Sequence, residues 1–78
     1  MDLQEAVKVR ILKLCKERKI TINKLATLSG MPQSTVNSLV DGTSQNPKLL
    51  TILRICLGLD MEIRDFFDDD VFIGLDDE

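Results

Sequence analysis

The sequence predicts an all-α fold of five short helices, followed by an acidic tail. Apolar residues recur at helical spacing near the start of the chain, at Leu3, Val7, Ile11 and Leu14. Glycine and proline divide the remainder into segments of helical length, at Gly30, Pro32, Gly42, Pro47 and Gly58. Residues 71–75 are the one stretch that could be read as a strand, and no other stretch alternates apolar and polar residues as a half-buried strand does. Short helices with tight connections are typical of a compact bundle.

The first two helices have recognisable start and stop signals. Helix 1 is predicted over residues 3–18, with its lysines lying off the apolar stripe. Thr21 is the expected N-cap of helix 2, which is predicted over residues 22–28. Gly30 ends helix 2, because glycine readily takes the positive φ of a helix C-terminus.

The next three helices follow from the same signals. Helix 3 is predicted over residues 32–40, since proline is tolerated in a first helical turn. Pro47 starts helix 4, which is apolar nearly all round and ends at Gly58. Asp60 is the expected cap of a short helix 5 that extends to Phe67. The apolar spacings converge on one predicted core: Ile11, Leu14, Leu25, Ala26, Val36, Leu39, Leu50, Leu53 and Leu59.

Length and composition exclude several classes of protein. A chain of 78 residues forms one domain at most. It contains no histidine, which removes most zinc sites and the usual nucleophile–base pairs, so we expect no enzyme, no metal, no cofactor and no small-molecule substrate. The three consecutive acids at 68–70 are expected to be a solvated run rather than a weak cation site. The longest uncharged stretch, 25–40, is broken by Gly30 and Pro32, so we expect no membrane partner and a cytoplasmic location.

Charge is unevenly distributed along the chain. Residues 1–60 carry nine Lys or Arg against five Asp or Glu, whereas residues 61–78 carry one Arg against eight acids. The net charge of −3 therefore hides a mildly basic body with an acidic tail.

The two cysteines, Cys15 and Cys56, match neither a CxxC motif nor a ligand cluster. They could form one disulfide. We favour two buried free thiols, because nothing marks the chain as secreted.

Helix 2, the turn at Gly30 and helix 3 form a predicted helix-turn-helix unit over residues 22–40. Ala26 is small enough to let the two helices approach, and Gly30 lets the backbone reverse. Val36 and Leu39 then hold helix 3 against the core, at an angle that lets it project into a major groove.

The segment LATLSGMPQSTVNSLVDG, residues 25–42, resembles the phage repressor and Cro-type helix-turn-helix family. The likeness extends over residues 9–67 through a polar loop, Pro47, an apolar helix and the sequence GLDM. It implies a lambda-repressor-like DNA-binding domain over residues 1–67, with residues 68–78 as the acidic tail. It also implies a regulator of transcription, expected to be a repressor, that binds double-stranded DNA as a homodimer on a two-fold symmetric operator.

The resemblance also implies roles for individual residues. The expected base-reading residues are Gln33, Ser34, Asn37 and Ser38. The expected phosphate contacts are Thr21, Asn23, Lys24, Thr35, Thr43, Asn46 and Lys48. Glutamine and asparagine each bond adenine through two hydrogen bonds, and serine pairs with several bases. The alternative is that these side chains are only the solvated face of a helix.

Two departures from the family bear on affinity. Many relatives carry glutamine at the start of helix 2, where this chain has Ile22, so Thr21, Asn23 or a backbone N–H must supply that phosphate contact. The outward face of helix 3 carries no Lys or Arg. We therefore expect modest affinity per monomer and dependence on dimerisation.

The expected dimer interface is the apolar part of the C-terminal region: Phe66, Phe67, Val71 and Phe72. Two alternatives stay open for the tail. Either it frays after the two phenylalanines close the core, or residues 71–75 pack on a partner chain.

In many relatives the positions of Cys15 and Val40 hold a buried Arg and Glu that pair between helices 1 and 3. This chain carries neither charge there. Losing both together avoids an unpaired buried charge. We therefore expect Cys15 and Val40 to lie in contact, at about 4 Å.

The competing function is a protein-interaction module, such as an antitoxin-like or anti-repressor subunit on the same fold. The negative net charge and the uncharged helix 3 favour it. The outward Gln, Ser and Asn side chains favour DNA binding more strongly.

Overall fold

The all-α prediction is confirmed by the computed structural model, which describes residues 1–42 and 46–77. Its helices are α1 (Leu3–Arg18), α2 (Ile22–Ser29), α3 (Gln33–Val40), α4 (Leu49–Gly58) and α5 (Ile63–Phe67). A short 3₁₀ helix (Asp70–Phe72) follows α5. Within the described residues no strand forms, and one isolated bridge joins Asp2 to Asp76.

Local side-chain and backbone bonds set the helix ends where the sequence signals them. The Thr21 hydroxyl accepts a hydrogen bond from the Lys24 amide at 3.1 Å, which makes Thr21 the N-cap of α2 as predicted. Gly30 takes a φ of +66°, and the Met31 amide bonds back to the Ala26 carbonyl at 3.0 Å. This closure turns the chain sharply from α2 toward α3.

Three predicted boundaries are shifted or wrong. Pro32 is the N-cap of α3 rather than its first residue, and α4 begins at Leu49, two residues after Pro47. Asp60 does not cap α5. It has a φ of +55° and belongs to the turn that ends α4, while Glu62 is the N-cap of α5. Asp60 belongs to this turn because carbonyls at the end of α4 have no partner within the helix. They accept hydrogen bonds from the amides of Asp60 and Met61.

The strand considered for residues 71–75 is also wrong. The carboxylate of Asp69 accepts the Val71 amide at 2.9 Å and starts the 3₁₀ helix there instead.

Most of the predicted core is buried: Ile11, Leu14, Leu25, Ala26, Val36, Leu39 and Leu59. The prediction of burial was wrong for Leu50 and Leu53, which are 55% and 38% exposed. The inward side of α4 is formed by Ile52, Ile55 and Cys56 instead. Since α4 is apolar nearly all round, its sequence pattern does not indicate which side faces the core.

The C-terminal ends of α2 and α4 meet closely at Gly58. A Cβ atom placed on Gly58 would lie 2.8 Å from the carbonyl carbon and oxygen of Leu28 and 2.9 Å from the amide nitrogen of Ser29. All three are backbone atoms that belong to α2, so they cannot rotate away. Gly58 therefore permits the α2–α4 packing that supports the helix-turn-helix unit.

Replacing Gly58 by alanine should destabilise the fold by about 1–3 kcal/mol, because the new methyl group overlaps the α2 backbone. A loss of stability would be informative, since replacing glycine by alanine inside a helix normally stabilises it by about 1 kcal/mol. Urea unfolding followed by circular dichroism measures the difference. A Gly58→Ala variant at least as stable as the wild type would contradict the close contact.

Both cysteines are buried and free, as expected. Burial raises the pKa of the Cys15 and Cys56 thiols, which keeps them protonated and unreactive. Val40 is partly buried and packs against the same core that contains Cys15. The direct contact between Cys15 and Val40 stays a prediction.

Both thiols should react slowly with a soluble thiol reagent in the native state and rapidly in urea. A Leu12→Cys variant is the matched control, because Leu12 lies on the same helix as Cys15 and is 43% exposed. It should gain one rapidly labelled thiol. Rapid native labelling of the wild type, located at Cys15 by mass spectrometry, would show that Cys15 is not a packing residue.

A buried arginine joins the C-terminal region to α1. Arg10 is 7% exposed. Its Nε donates to the Phe66 carbonyl at 2.8 Å, and its Nη2 donates to the Asp65 carbonyl at 3.0 Å. Its Nη1 lies 3.1 Å from a carboxylate oxygen of Asp69. No sequence signal singled out Arg10, which lies on the apolar stripe between Val7 and Leu14.

The described tail therefore does not fray after α5, while the packing of residues 71–75 on a partner chain stays a prediction. The 3₁₀ helix packs against α1 of its own chain. Further along, the Asp76 amide donates to the Met1 carbonyl at 3.0 Å. The described tail folds back over α1 because Arg10 and Lys13 both bind Asp69.

Removing the Asp69 charge should change the acid response of folding. The hydrogen bond from Lys13, followed by that from the Val71 amide, lowers the pKa of Asp69 below its ordinary value. The ionised carboxylate thus stabilises the fold above the ordinary pKa, and this stabilisation is lost as the pH falls through the lowered value. Asp69→Asn should lower the free energy of unfolding at neutral pH, and the difference from wild type should shrink in acid.

Urea unfolding across a pH series measures that difference. Asp68→Asn is the control, since Asp68 is an exposed neighbouring carboxylate, and it should keep the wild-type profile. Parallel profiles for Asp69→Asn and wild type would argue against a stabilising role for the Asp69 carboxylate.

Candidate nucleic-acid interface

The predicted reading helix α3 presents its polar residues outward and its apolar residues inward. Val36 is fully buried and Leu39 nearly so. Gln33 and Ser34 are exposed in the first turn, whereas Asn37 and Ser38 are half-buried one turn later. The first turn of α3 is therefore its most accessible part.

The hydroxyl of Ser38 is already engaged within α3. It donates to the Thr35 carbonyl at 2.9 Å. Its proton is committed to the helix backbone, so only its lone pairs remain to accept a hydrogen bond. Thr35 itself is half-buried, and its amide bonds to the Pro32 carbonyl at 3.0 Å.

The N-termini of α3 and α4 are suited to an anion such as a phosphate. Neither helix has a side-chain cap, so backbone N–H groups in their first turns lack that partner. The first turns of α2, α3 and α4 also contain no acidic residue. In α1, by contrast, Asp2 caps the N-terminus and Glu5 lies in the first turn. An anion at α3 or α4 would meet the positive end of the helix dipole without opposition from a carboxylate.

The start of α2 carries an apolar residue where many relatives carry glutamine, as the sequence indicated. Ile22 is partly buried and packs against the core, so it replaces a polar family residue by an apolar contact. The side chain of Thr21 is occupied as the cap, while Asn23 and Lys24 are exposed. Asn23 and Lys24 are thus the accessible predicted phosphate contacts at this helix end.

The loop before α4 is only partly described. Thr43 lies outside the described residues. Asn46 is exposed, and so is Lys48, which is the N-cap of α4. Lys48 therefore carries its charge beside the uncapped end of that helix.

The lysines of α1 lie near carboxylates. Lys13 Nζ is 2.8 Å from Asp69, whose hydrogen bond raises the pKa of Lys13. Lys8 Nζ is 4.0 Å from a Glu5 oxygen one turn away. These pairs offset part of the positive charge of α1.

The residues predicted for a dimer interface are partly used within the chain. Phe66 is fully buried, and Phe67, Val71 and Phe72 are half-buried. The Phe66 ring lies 5.1 Å from Phe67 and 6.0 Å from Phe72, measured between centroids. Phe66 has no surface to offer to a second chain, so an interface here would involve the other three residues alone.

Among the described residues, no cluster of Cys, Asp or Glu is arranged to hold a metal ion. No helix in the same part of the chain is long and apolar enough to cross a membrane.

A family model for the Cro/C1-type helix-turn-helix DNA-binding domain matches residues 10–70. The chain belongs to this family. It is also similar to the prophage Lp1 protein 11, whose crystal structure superposes with a TM-score of 0.82 at 36% sequence identity. That match covers 96% of this chain and 100% of the other. No curated protein matches the chain. The resemblance read from the sequence is thereby confirmed, and with it the DNA-binding class of the domain.

Proposed function

We propose that this Cro/C1-type protein is a sequence-specific repressor of transcription that reads the major groove with α3. The observation that carries the proposal is the exposed first turn of α3, where Gln33 and Ser34 stand beside an uncapped helix end. Base-reading side chains and free backbone N–H groups then meet at one edge of the molecule. That combination fits a duplex, which offers base edges and phosphates side by side.

Electrostatic attraction to DNA is expected to be modest. The outward face of α3 has no basic residue, and two lysines of α1 lie near carboxylates. Asn23, Lys24, Asn46 and Lys48, together with the ends of α3 and α4, are the proposed phosphate contacts. Because few charged side chains would contact phosphates, the affinity for DNA should depend only weakly on salt concentration.

The proposed active form is a homodimer. One eight-residue helix reaches too few base pairs for useful specificity. Two copies on a two-fold symmetric operator would place their recognition helices about 34 Å apart, which is one turn of duplex.

A protein-interaction module remains the second candidate, because α3 is uncharged on its outward face and the net charge is −3. The two candidates differ in a simple respect. A regulator selects a defined motif from random duplexes, whereas a module that acts only through protein contacts selects none.

Gln33→Ala should weaken binding to the selected motif by about 1–3 kcal/mol and relax the preference at one base position, because a bidentate contact to a base is lost. Selection from random duplexes supplies the motif, and a fluorescence titration measures affinity on the motif and on single-base variants. Equal affinity of Gln33→Ala and wild type across that set would remove Gln33 from the base-reading residues.

Lys48→Ala is the matched control, since Lys48 is exposed and is proposed to meet a phosphate. It should weaken all sequences alike and reduce the salt dependence by about one phosphate contact. A change in sequence preference from Lys48→Ala would contradict the division of roles between the two residues.

A further inference from the structure

The α4 helix leaves a row of leucines uncovered. Leu49, Leu50, Leu53 and Leu57 are 65%, 55%, 38% and 69% exposed. Three of them, Leu50, Leu53 and Leu57, follow a spacing of three and then four residues, which aligns them on one side of a helix. We call these three residues the α4 leucine face. They lie on the side of α4 away from Ile52 and Ile55, so folding of the monomer covers only one side of the helix. Leu49 lies on the stripe of Ile52 and is exposed at the start of α4.

The apolar surface continues beyond the end of α4. Leu53 and Leu57 line an open groove of about 270 Å³ together with Met61 and Ile63. Both of these last residues are half-buried. The exposed leucines and the apolar members of the groove together form a strip of the kind that marks an interaction surface.

Charges of opposite sign stand at two places along this strip. Arg54 is exposed on α4 beside Leu53, and the groove beyond the end of α4 is lined also by Asp60, Glu62 and Asp65. Within residues 1–42 and 46–77, no ion pair involves any of these four side chains. A uniformly basic or acidic partner would match one end of the strip and repel the other.

We infer that the α4 leucine face binds a second copy of this chain, with the two α4 helices antiparallel. A two-fold axis close to Leu57 sets that residue against its counterpart. Leu53 then faces the partner's Met61, and Arg54 faces the acidic side chains of the partner's groove. Every contact occurs twice, as a two-fold interface requires. Unlike charges then meet at both ends of the interface.

This surface gives the proposed homodimer a location, and it does so without using the exposed first turn of α3. In that respect the inference rests on the proposed function, whose dimer it completes. It also differs from the interface expected from the sequence, in which Phe66 is fully buried within its own chain.

Sedimentation equilibrium of the full chain without DNA tests the surface. Wild type should show a reversible monomer–dimer equilibrium, and Leu57→Glu should raise the dissociation constant about tenfold or more by placing like charges on the axis. Leu12→Glu, an exposed leucine on α1, is the control and should dimerise as wild type does. Because Leu57 is so exposed, its variant should keep the wild-type circular dichroism, and its unfolding midpoint should equal that of wild type at concentrations where wild type is monomeric. A wild type that stays monomeric at every concentration, or a Leu57→Glu variant that dimerises normally, would overturn the inference.

A charge exchange tests the pairing. Arg54→Glu should weaken the dimer, and adding Glu62→Arg should restore it, because unlike charges then meet again. Glu62 is a better site than Asp60, whose positive φ disfavours a longer side chain. A double variant no tighter than Arg54→Glu alone would exclude the proposed antiparallel register.

Cross-linking tests the axis directly. Both native thiols are buried, so Leu57→Cys adds one exposed thiol on the proposed axis. With the mild oxidant diamide it should form a covalent dimer rapidly, since a disulfide requires Cα atoms within about 7 Å. Leu12→Cys should not. Equal cross-linking of both variants would overturn the assignment of the axis.

Binding to the selected duplex separates this inference from the proposed function. Specific DNA binding that Leu57→Glu leaves unchanged would reject the surface and keep the function. A Leu57-dependent dimer that selects no DNA motif would keep the surface and reject the function.

Discussion

The arrangement of the C-terminal half depends on the buried guanidinium of Arg10. This single group bonds the carbonyls of Asp65 and Phe66 and the carboxylate of Asp69, and so ties three points of the chain to α1. Burying a charge is costly unless hydrogen bonds and an opposite charge satisfy it, and here both are present. Phe66 is held in the core as a result, and the tail is returned along α1. Without this contact, α5 would have only its five residues of helix to hold it against the bundle.

Helix positions could be predicted from the sequence because their signals are local. Thr21 begins α2 and Gly30 ends it through contacts within one helical turn, so the neighbouring sequence alone determines where the helix begins and ends. The side of α4 that faces the core could not be predicted in this way, because its residues are apolar in every direction. Arg10 was missed for a different reason. Its partners lie more than fifty residues away, and an isolated arginine on a helix ordinarily lies at the surface.

In the candidate site, too, some features could be predicted from the sequence and others could not. The exposure of Gln33 and Ser34 follows from the burial of Val36 and Leu39, whose spacing the sequence displays. The hydrogen bond from the Ser38 hydroxyl to the Thr35 carbonyl could not be predicted from that spacing. Serine and threonine hydroxyls bond whichever nearby backbone group the local geometry brings within reach. The absence of acids from the first turns of α2, α3 and α4 was readable in the sequence, but its significance depends on where those helices begin.

The neutral outward face of α3 has a consequence for how such a protein would be distributed in a cell. Genomic DNA offers millions of competing sites that attract basic proteins through phosphate charge alone. If α3 reads the duplex as proposed, its lack of Lys and Arg gives it little attraction to those sites, so fewer molecules would be held on competing DNA. The same lack of charge weakens binding at the proposed operator. It would therefore favour the choice between sites rather than the strength of binding at any one of them.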